Sequence, residues 1–190
     1  MKRFRFRLER LLELRAHRER EALYRLAHEG RLIRVARGLY RLADAEEFSN
    51  PDLVVAALKA PDAVVCLVSA LAFHGITTQI PGAVHLAVPR GRYAALRLRT
   101  PPVKVYRFDP TTFDKGVEVH RIDGTDVRIS GVARTLVDCF KYRNKIGLDV
   151  AVEALRLARV RKRISNRAIL PIARLLRQER VMAPYLEALT

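Results

Sequence analysis

The 190-residue sequence has few acidic residues, two cysteines and no long hydrophobic run. Cys66 and Cys139 lie in apolar stretches without metal-ligand spacing, so they are predicted to be free core thiols in a reducing cytosol. The longest apolar stretch, 63–73, is too short to span a bilayer. No apolar segment follows the basic residues 1–7, so no secretory signal is predicted. These absences predict a cytoplasmic protein that is not associated with a membrane.

Signatures of enzymes are also missing. No glycine pair has the spacing of a phosphate-binding loop, so no nucleotide or other cofactor is predicted. Ser69, His74 and Asp138 are a candidate catalytic triad by residue type alone. No strained nucleophile turn surrounds the serine, which is predicted to lie within a helix. The sequence therefore predicts no catalytic residue and no enzyme activity.

A metal-dependent nuclease is the least favoured hypothesis. Such an enzyme needs carboxylates clustered on a hairpin with a lysine close by. Glu118, Asp123 and Asp126 lie on a predicted hairpin, but His120 stands two residues after Glu118, where a lysine would be needed. No metal site is predicted.

The most informative stretch is 30–42. Two aliphatic runs, 32–35 and 39–42, are joined at Ala36-Arg37-Gly38, where glycine can take the positive φ of a tight hairpin. Gly30 is a good residue to end the preceding helix. A helix followed directly by a hairpin with arginines on both arms is the order of elements in a winged helix-turn-helix.

An excess of positive charge suggests a polyanionic partner. Lysine and arginine total 36 against 20 acidic residues, which gives a formal charge of +16, and double-stranded DNA is the first candidate. Arginines on the predicted second helix and on the hairpin are the candidate DNA contacts: Arg18, Arg20, Arg25, Arg31, Arg34, Arg37 and Arg41. For the helix, a basic face that is merely solvated is an equally good interpretation. A secondary basic surface comprises Arg90, Arg92, Arg159, Arg161, Lys162, Arg163 and Arg167.

Pattern and turn residues predict the remaining elements. Helices are expected over 4–29 with a break at 16–18, and over 52–59, 66–73, 132–143, 149–160, 165–178 and 184–189. Ser130, Asp149 and Ser165 are the predicted N-caps, and Pro171 a kink or restart. Strands are expected over 84–88 and 103–108, followed by a hairpin of 117–122 and 127–129 around Asp123-Gly124. The polar connector 46–51 is the predicted domain boundary, which separates residues 1–48 from 49–190.

Several short motifs, in this order and spacing, resemble the AbiEi-like family of type IV toxin–antitoxin antitoxins and transcriptional regulators. They are Arg34-Val35-Ala36-Arg37-Gly38-Leu39-Tyr40, residues 62–67, Ser69-Ala70-Leu71-Ala72-Phe73-His74-Gly75-Ile76-Thr77-Thr78, Val88-Pro89-Arg90 and Ala133-Arg134-Thr135-Leu136-Val137-Asp138.

The resemblance implies an α+β protein with a reduced N-terminal winged helix-turn-helix and a C-terminal mixed α/β domain. It implies a repressor that binds repeats in its own promoter, opposes a nucleotidyltransferase-type toxin from the same operon and has no catalytic activity. Ser69, His74, Arg134 and Asp138 are its signature positions, with structural roles. About 30 residues precede the hairpin, room for two helices rather than the three usual in the family.

One alternative from another class is a protein-interaction module that neutralises a toxin without binding DNA, its charge being only a solvated surface. Dimerisation would suit a palindromic operator, and the oligomeric state is left open.

Overall fold

A computed structural model describes residues 12–13, 17–36, 39–44, 48–91 and 100–189. They form a mixed α+β structure with two separate sheets, which confirms the predicted fold class. The N-terminal elements are β1 (Leu12–Glu13), α1 (His17–His28), β2 (Leu32–Ala36) and β3 (Leu39–Leu42). Strand β3 is central in this sheet and antiparallel to both neighbours.

Strands β2 and β3 pair antiparallel and confirm the two predicted arms, 32–35 and 39–42, while Arg37 and Gly38 of the predicted turn lie outside the described residues. Helix α1 confirms the predicted second helix. The prediction was wrong for Leu12 and Glu13, which form a strand opposite Tyr40 and Leu39 instead of part of a helix. Pairing with the free side of β3 satisfies their backbone groups, and this tertiary contact overrides helical periodicity. The rest of the predicted first helix lies outside the described residues.

The remaining chain forms a larger unit. Its helices are α2 (Pro51–Lys59), α3 (Leu67–Phe73), α4 (Val132–Lys141), α5 (Arg143–Ile146), α6 (Leu148–Val160), α7 (Asn166–Leu175) and α8 (Glu179–Ala188). Its strands are β4 (Val64–Val65), β5 (Val84–Pro89), β6 (Val103–Phe108), β7 (Val117–Ile122) and β8 (Thr125–Ser130). A 3-10 turn, Pro110–Thr112, precedes β7.

The five strands form a mixed sheet in the order β6-β5-β4-β8-β7. Strands β5 and β6 are parallel, as are β4 and β8, whereas β4–β5 and β7–β8 are antiparallel. Successive side chains of a strand point to opposite faces. Accordingly Val64 and Ala87 join one apolar core, and their neighbours Val65 and Leu86 join another.

Helices cover both faces of this sheet. On one face α2 packs Leu53, Val54 and Ala56 against the sheet. On the other face the larger core contains residues of α3, α4, α6, α7 and α8. Cys66 and Cys139 lie in this core as buried free thiols, as predicted. The N-terminal hairpin therefore lies beyond α2, on the side of the sheet away from α6 and α7.

Two predicted N-caps were wrong. Ser130 is the last residue of β8, and Gly131 is the N-cap of α4. Thr135 Oγ1 donates to the Ser130 carbonyl at 2.8 Å. This bond holds Ser130 at the end of β8 rather than at the N-cap position of α4. Asp149 lies inside α6, whose N-cap is Gly147 at a φ of 97°. Only glycine enters that conformation at little cost, so it determines where the helix starts.

Other boundaries differ from the predictions. Strand β4 was not predicted, because two residues inside an apolar run carry no alternation of their own. Helix α7 continues through Pro171 without restarting. Helix α8 begins at Glu179, five residues before the predicted start. Ser165 is the N-cap of α7, but its side chain makes no capping hydrogen bond.

Within the described part of the chain, no helix is both long and apolar enough to cross a membrane.

Candidate nucleic-acid interface

Helix α1 ends in a turn that directs the chain into the hairpin. The Gly30 N–H donates to Ala27 O at 3.1 Å and the Arg31 N–H to Leu26 O at 2.9 Å, the paired bonds of a Schellman motif. Gly30 has a φ of 71°, which favours glycine. The predicted helix end at Gly30 is confirmed, and the angle between α1 and β2 is fixed by backbone bonds.

A small apolar cluster holds the hairpin against α1. Leu23 of α1 is buried against Leu32 of β2 and Tyr40 of β3, with Leu26 and Ala27 packed at its side. Leu23, Leu26 and Ala27 follow helical spacing, so one face of α1 is committed to this contact. The opposite face of α1 points away from the hairpin.

The other side of the hairpin is covered by α2. Leu39 is fully buried against Val55 of α2, and Val35 and Leu58 pack beside them. The hairpin is thus placed between two helices, one on each face. The contact involves its apolar side chains and leaves Arg31 and Arg34 exposed.

The candidate DNA contacts differ in their surroundings. Arg31 and Arg34 are exposed, and Arg34 lies opposite Tyr40 in the β2–β3 register. Arg25 is also exposed, and its Nε lies 3.9 Å from Glu29 Oε1. Arg41 is half-buried and donates to Leu42 O at 3.4 Å. Exposed arginines on a helix and on the adjoining β2 form a surface that could lie against a phosphate backbone.

Three positions complete the predicted set. Arg18 and Arg20 lie in the first turn of α1. Arg37, between β2 and β3 in the sequence, lies outside the described residues, as does Arg92 of the secondary basic surface.

Two exposed residues of α1 were not singled out from the sequence. The Tyr24 side chain is 60% exposed, and His28, four residues later on the same helix face, is also exposed. A large aromatic side chain left in solvent beside Arg25 can contribute a hydroxyl donor or a stacking surface. The signal in the sequence was their spacing relative to Leu23 and Ala27, which places them off the buried face.

The secondary basic surface divides into two kinds of residue. Arg90, Arg161, Lys162, Arg163 and Arg167 are exposed. Arg159 is half-buried, and its guanidinium donates to Asn166 Oδ1, to Leu189 O at 3.2 Å and to Leu186 O at 3.4 Å. Arg159 therefore ties α6 to α7 and α8.

Ser69 and His74, two of the signature residues, make separate local bonds. Ser69 Oγ accepts from the His85 N–H at 2.9 Å and donates to Ala83 O at 3.4 Å. His74 Nε2 donates to Ser130 O at 2.7 Å. The candidate triad is not assembled, because Asp138 is engaged elsewhere. Ser69 and His74 join α3 to the sheet.

Arg134 and Asp138 form the predicted ion pair on α4. Arg134 Nε lies 2.6 Å from Asp138 Oδ2, and both side chains are almost completely buried. Arg134 Nη1 also donates to Thr112 O at 2.7 Å and to Lys115 O. Burial raises the pKa of Asp138 to about 6, while Arg134 acts in the opposite direction. Oδ1 of Asp138 has no hydrogen-bond partner among the described residues.

The acidic residues of the β7–β8 hairpin are bound individually. Glu118 Oε2 lies 3.0 Å from His120 Nε2, and Asp126 Oδ1 lies 2.9 Å from Arg121 Nη1. Asp123 accepts from the Ser49 N–H at 2.9 Å. Over the ranges that the structure describes, no group of three or more His, Cys, Asp or Glu side chains could hold a metal ion.

Residues 6–43 match the family model described as a transcriptional regulator, AbiEi antitoxin. The match covers α1, β2 and β3, the elements that carry the candidate DNA contacts, and confirms the resemblance stated from the sequence. The matched family is one of antitoxins and transcriptional regulators. No curated protein matches the chain.

Proposed function

We propose, starting from the match of residues 6–43 to an antitoxin regulator family, that this protein is a DNA-binding antitoxin that represses its own type IV toxin–antitoxin operon. The observation that carries the proposal is the exposure of Arg31 and Arg34 on a hairpin whose apolar side chains are held between α1 and α2. Such a protein acts in the cytoplasm, where the DNA is.

The arrangement suits a duplex in two ways. Helix α1 offers Tyr24, Arg25 and His28 on a face that the hairpin does not use, and a helix of this size fits the major groove. Arg31 and Arg34 then lie beside the helix, where guanidinium groups can bind backbone phosphates or the edge of a guanine. The Schellman turn and the apolar cluster hold both parts in place before DNA arrives, which lowers the entropy cost of binding.

Residues 49–190 form the second part of the proposal, a body that carries no reaction. The signature residues Ser69, His74, Arg134 and Asp138 make bonds that join helices to the sheet. We propose that this body provides the antitoxin function toward a nucleotidyltransferase-type toxin of the same operon and that residues 1–48 provide DNA recognition.

Fluorescence anisotropy tests the DNA-binding proposal. The probes are a labelled duplex carrying the inverted repeat upstream of the gene and a scrambled duplex of equal length. We expect preference for the repeat and a linear fall of log K with log salt. Replacing both Arg31 and Arg34 with alanine should weaken binding by roughly 10-fold or more and reduce the salt slope by about two.

The matched control is Lys104→Ala with Arg180→Ala, which removes the same charge from exposed positions of the larger unit. This control should keep most of the affinity. Equal affinity of wild-type protein for the repeat and the scrambled duplex would refute the repressor proposal. Equal losses in the two double variants would show that net charge, rather than the hairpin, is responsible.

The alternative function, toxin neutralisation without DNA binding, shares the antitoxin description of the family. It predicts a stable complex with the adjacent toxin and no preference for the promoter repeat. Size-exclusion chromatography of the co-expressed pair, combined with the anisotropy assay, separates the two functions.

A further inference from the structure

We propose that the corner between α6 and α7 is a second DNA-binding surface, which binds the phosphate backbone of a duplex segment separate from the one at the hairpin. The surface consists of four exposed side chains, here called the corner cations: Arg156, Lys162, Arg163 and Arg167. No acidic residue lies between Glu153 and Glu179 in the sequence. Across the described ranges, none of the corner cations forms an ion pair.

The neighbouring arginines have structural roles that the corner cations lack. Arg159 binds Asn166 and two carbonyls near the end of α8, and Arg161 Nη1 donates to Gly75 O. These bonds fix the corner on the body of the protein. Arg156 and Arg167, on the helices on either side, are exposed and make no such contact with the part of the chain that the structure describes.

The end of α6 places a cation, Lys162, where glycine is usual. Helix α6 ends in the same Schellman motif as α1: the Lys162 N–H donates to Arg159 O at 2.9 Å, and the Arg163 N–H to Ala158 O at 2.8 Å. At the end of α1 the left-handed position is Gly30, whereas here it is Lys162, at a φ of 51°. A side chain in this region is less stable than glycine. Arg177 takes the same left-handed position at the end of α7, at a φ of 56°, so two helix ends of this unit carry a cation where glycine is usual.

The corner and the hairpin lie on opposite sides of the five-stranded sheet. The hairpin rests on α2, which packs on one face, whereas α6 and α7 belong to the core on the other face. Arg34 and Lys162 are therefore carried by elements that pack on different faces of the sheet. The corner binds a separate segment of DNA, so one protein molecule can bind two duplex segments.

The chemistry of the corner favours nucleic acid over an acidic protein. Protein interfaces have apolar centres from which charged residues are depleted. Here four exposed cations lie between residues 156 and 167, together with one large exposed apolar side chain, Val160. A convex turn between two helices offers no element that enters a groove. It can therefore contact phosphates without reading bases, and binding is independent of sequence.

Fluorescence anisotropy of the 190-residue protein with a labelled, scrambled 24-bp duplex at several salt concentrations tests this proposal. The corner variant combines Lys162→Gly, Arg163→Ala and Arg167→Ala. The control variant combines Lys104→Ala, Lys115→Ala and Lys141→Ala, three exposed lysines. We expect the corner variant to lose at least 10-fold in affinity and about two to three units of salt slope. The control variant should lose less than threefold.

Two further measurements separate this proposal from a general charge effect and from the hairpin site. Lys162→Gly alone should raise the urea midpoint of unfolding while weakening duplex binding, a combination that a purely structural lysine would not give. In a background with Arg31→Ala and Arg34→Ala, the corner variant should still lose affinity. A loss of affinity in this background supports the corner site by itself. It does so even if the substitutions at Arg31 and Arg34 leave DNA binding unchanged and the proposed function is refuted.

Two results would overturn the assignment. One is equal affinity of the corner and control variants in both backgrounds. The other is competition by poly-L-glutamate as effective, per charge, as competition by the duplex, since this would assign the corner to an acidic protein.

Discussion

Arg134 and Asp138 form an ion pair one helical turn apart on α4, with Nε 2.6 Å from Oδ2 and both side chains inside the core. The guanidinium also binds two carbonyls of the segment 112–115 and lies over the Phe108 ring, 5.4 Å from its centre. This single side chain therefore connects α4, the segment before β7 and the end of β6.

Removing Arg134 should be costly. Arg134→Met leaves the Asp138 carboxylate buried without its cation, and we expect the free energy of unfolding to fall by about 3–5 kcal/mol. Arg174→Met is the matched control: its pair with Glu179, at 2.8 Å, is exposed and should contribute about 0–1 kcal/mol. Urea denaturation followed by circular dichroism measures both. Equal effects of the two substitutions would show that the buried carboxyl needs no cation.

His85 should make stability depend on pH. Burial first, and Lys104 second, lower the pKa of His85 to about 4. Between pH 4 and about 6.5 the unfolded chain binds a proton here that the folded protein does not, so this group destabilises the fold as pH falls. Above pH 6.5 this histidine is neutral in both the folded and the unfolded state, so it takes nothing from the stability of the fold. Asp138, whose pKa is raised, acts in the opposite direction between about pH 4 and 6.

Comparison with His85→Gln isolates this contribution. Unfolding free energies of wild type and variant are measured by urea at pH 4.5 and pH 7. The wild-type value should fall more than the variant value on acidification. A variant that loses as much stability as wild type over this range would contradict a buried neutral imidazole.

The contact between Leu39 and Val55 should support DNA binding without touching DNA. Leu39→Ala creates a cavity between the hairpin and α2 and should cost about 2–5 kcal/mol. Leu175→Ala, at an exposed position, is the control. A double-mutant cycle with Val55→Ala should give a coupling energy of about 0.5–3 kcal/mol. Anisotropy should show weaker repeat binding by Leu39→Ala, although no charge changes. Unchanged affinity would show that the hairpin is positioned by α1 alone.

The N-terminal hairpin could be predicted because its signals are local. Gly30 ends a helix, two aliphatic runs follow, and each rule needs only neighbouring residues. The pair Arg134–Asp138 was predicted for the same reason, from its spacing of four on a helix. Arg31 and Arg34 were expected at the surface because arginines are interspersed among aliphatic residues along the hairpin, and both are exposed in the structure.

What could not be predicted depends on distant contacts. Strand β1 exists because Leu12 and Glu13 pair with β3, about 27 residues later. Strand β4 is defined by its neighbours β5 and β8 rather than by its own two residues. Arg159 was grouped with surface cations, since nothing in its local sequence reveals the three acceptors supplied by α7 and the end of α8.

Helix α2 also bears on how this protein can be dissected experimentally. A fragment cut at residue 48 would end before Pro51 and so lose Val55 and Leu58, the side chains that cover Leu39 and Val35. The isolated piece would present a bare aliphatic strip to water and would aggregate or associate with itself. A recombinant fragment that carries the hairpin should extend at least to Lys59, with Leu53 and Val54, which face the sheet, replaced by polar residues.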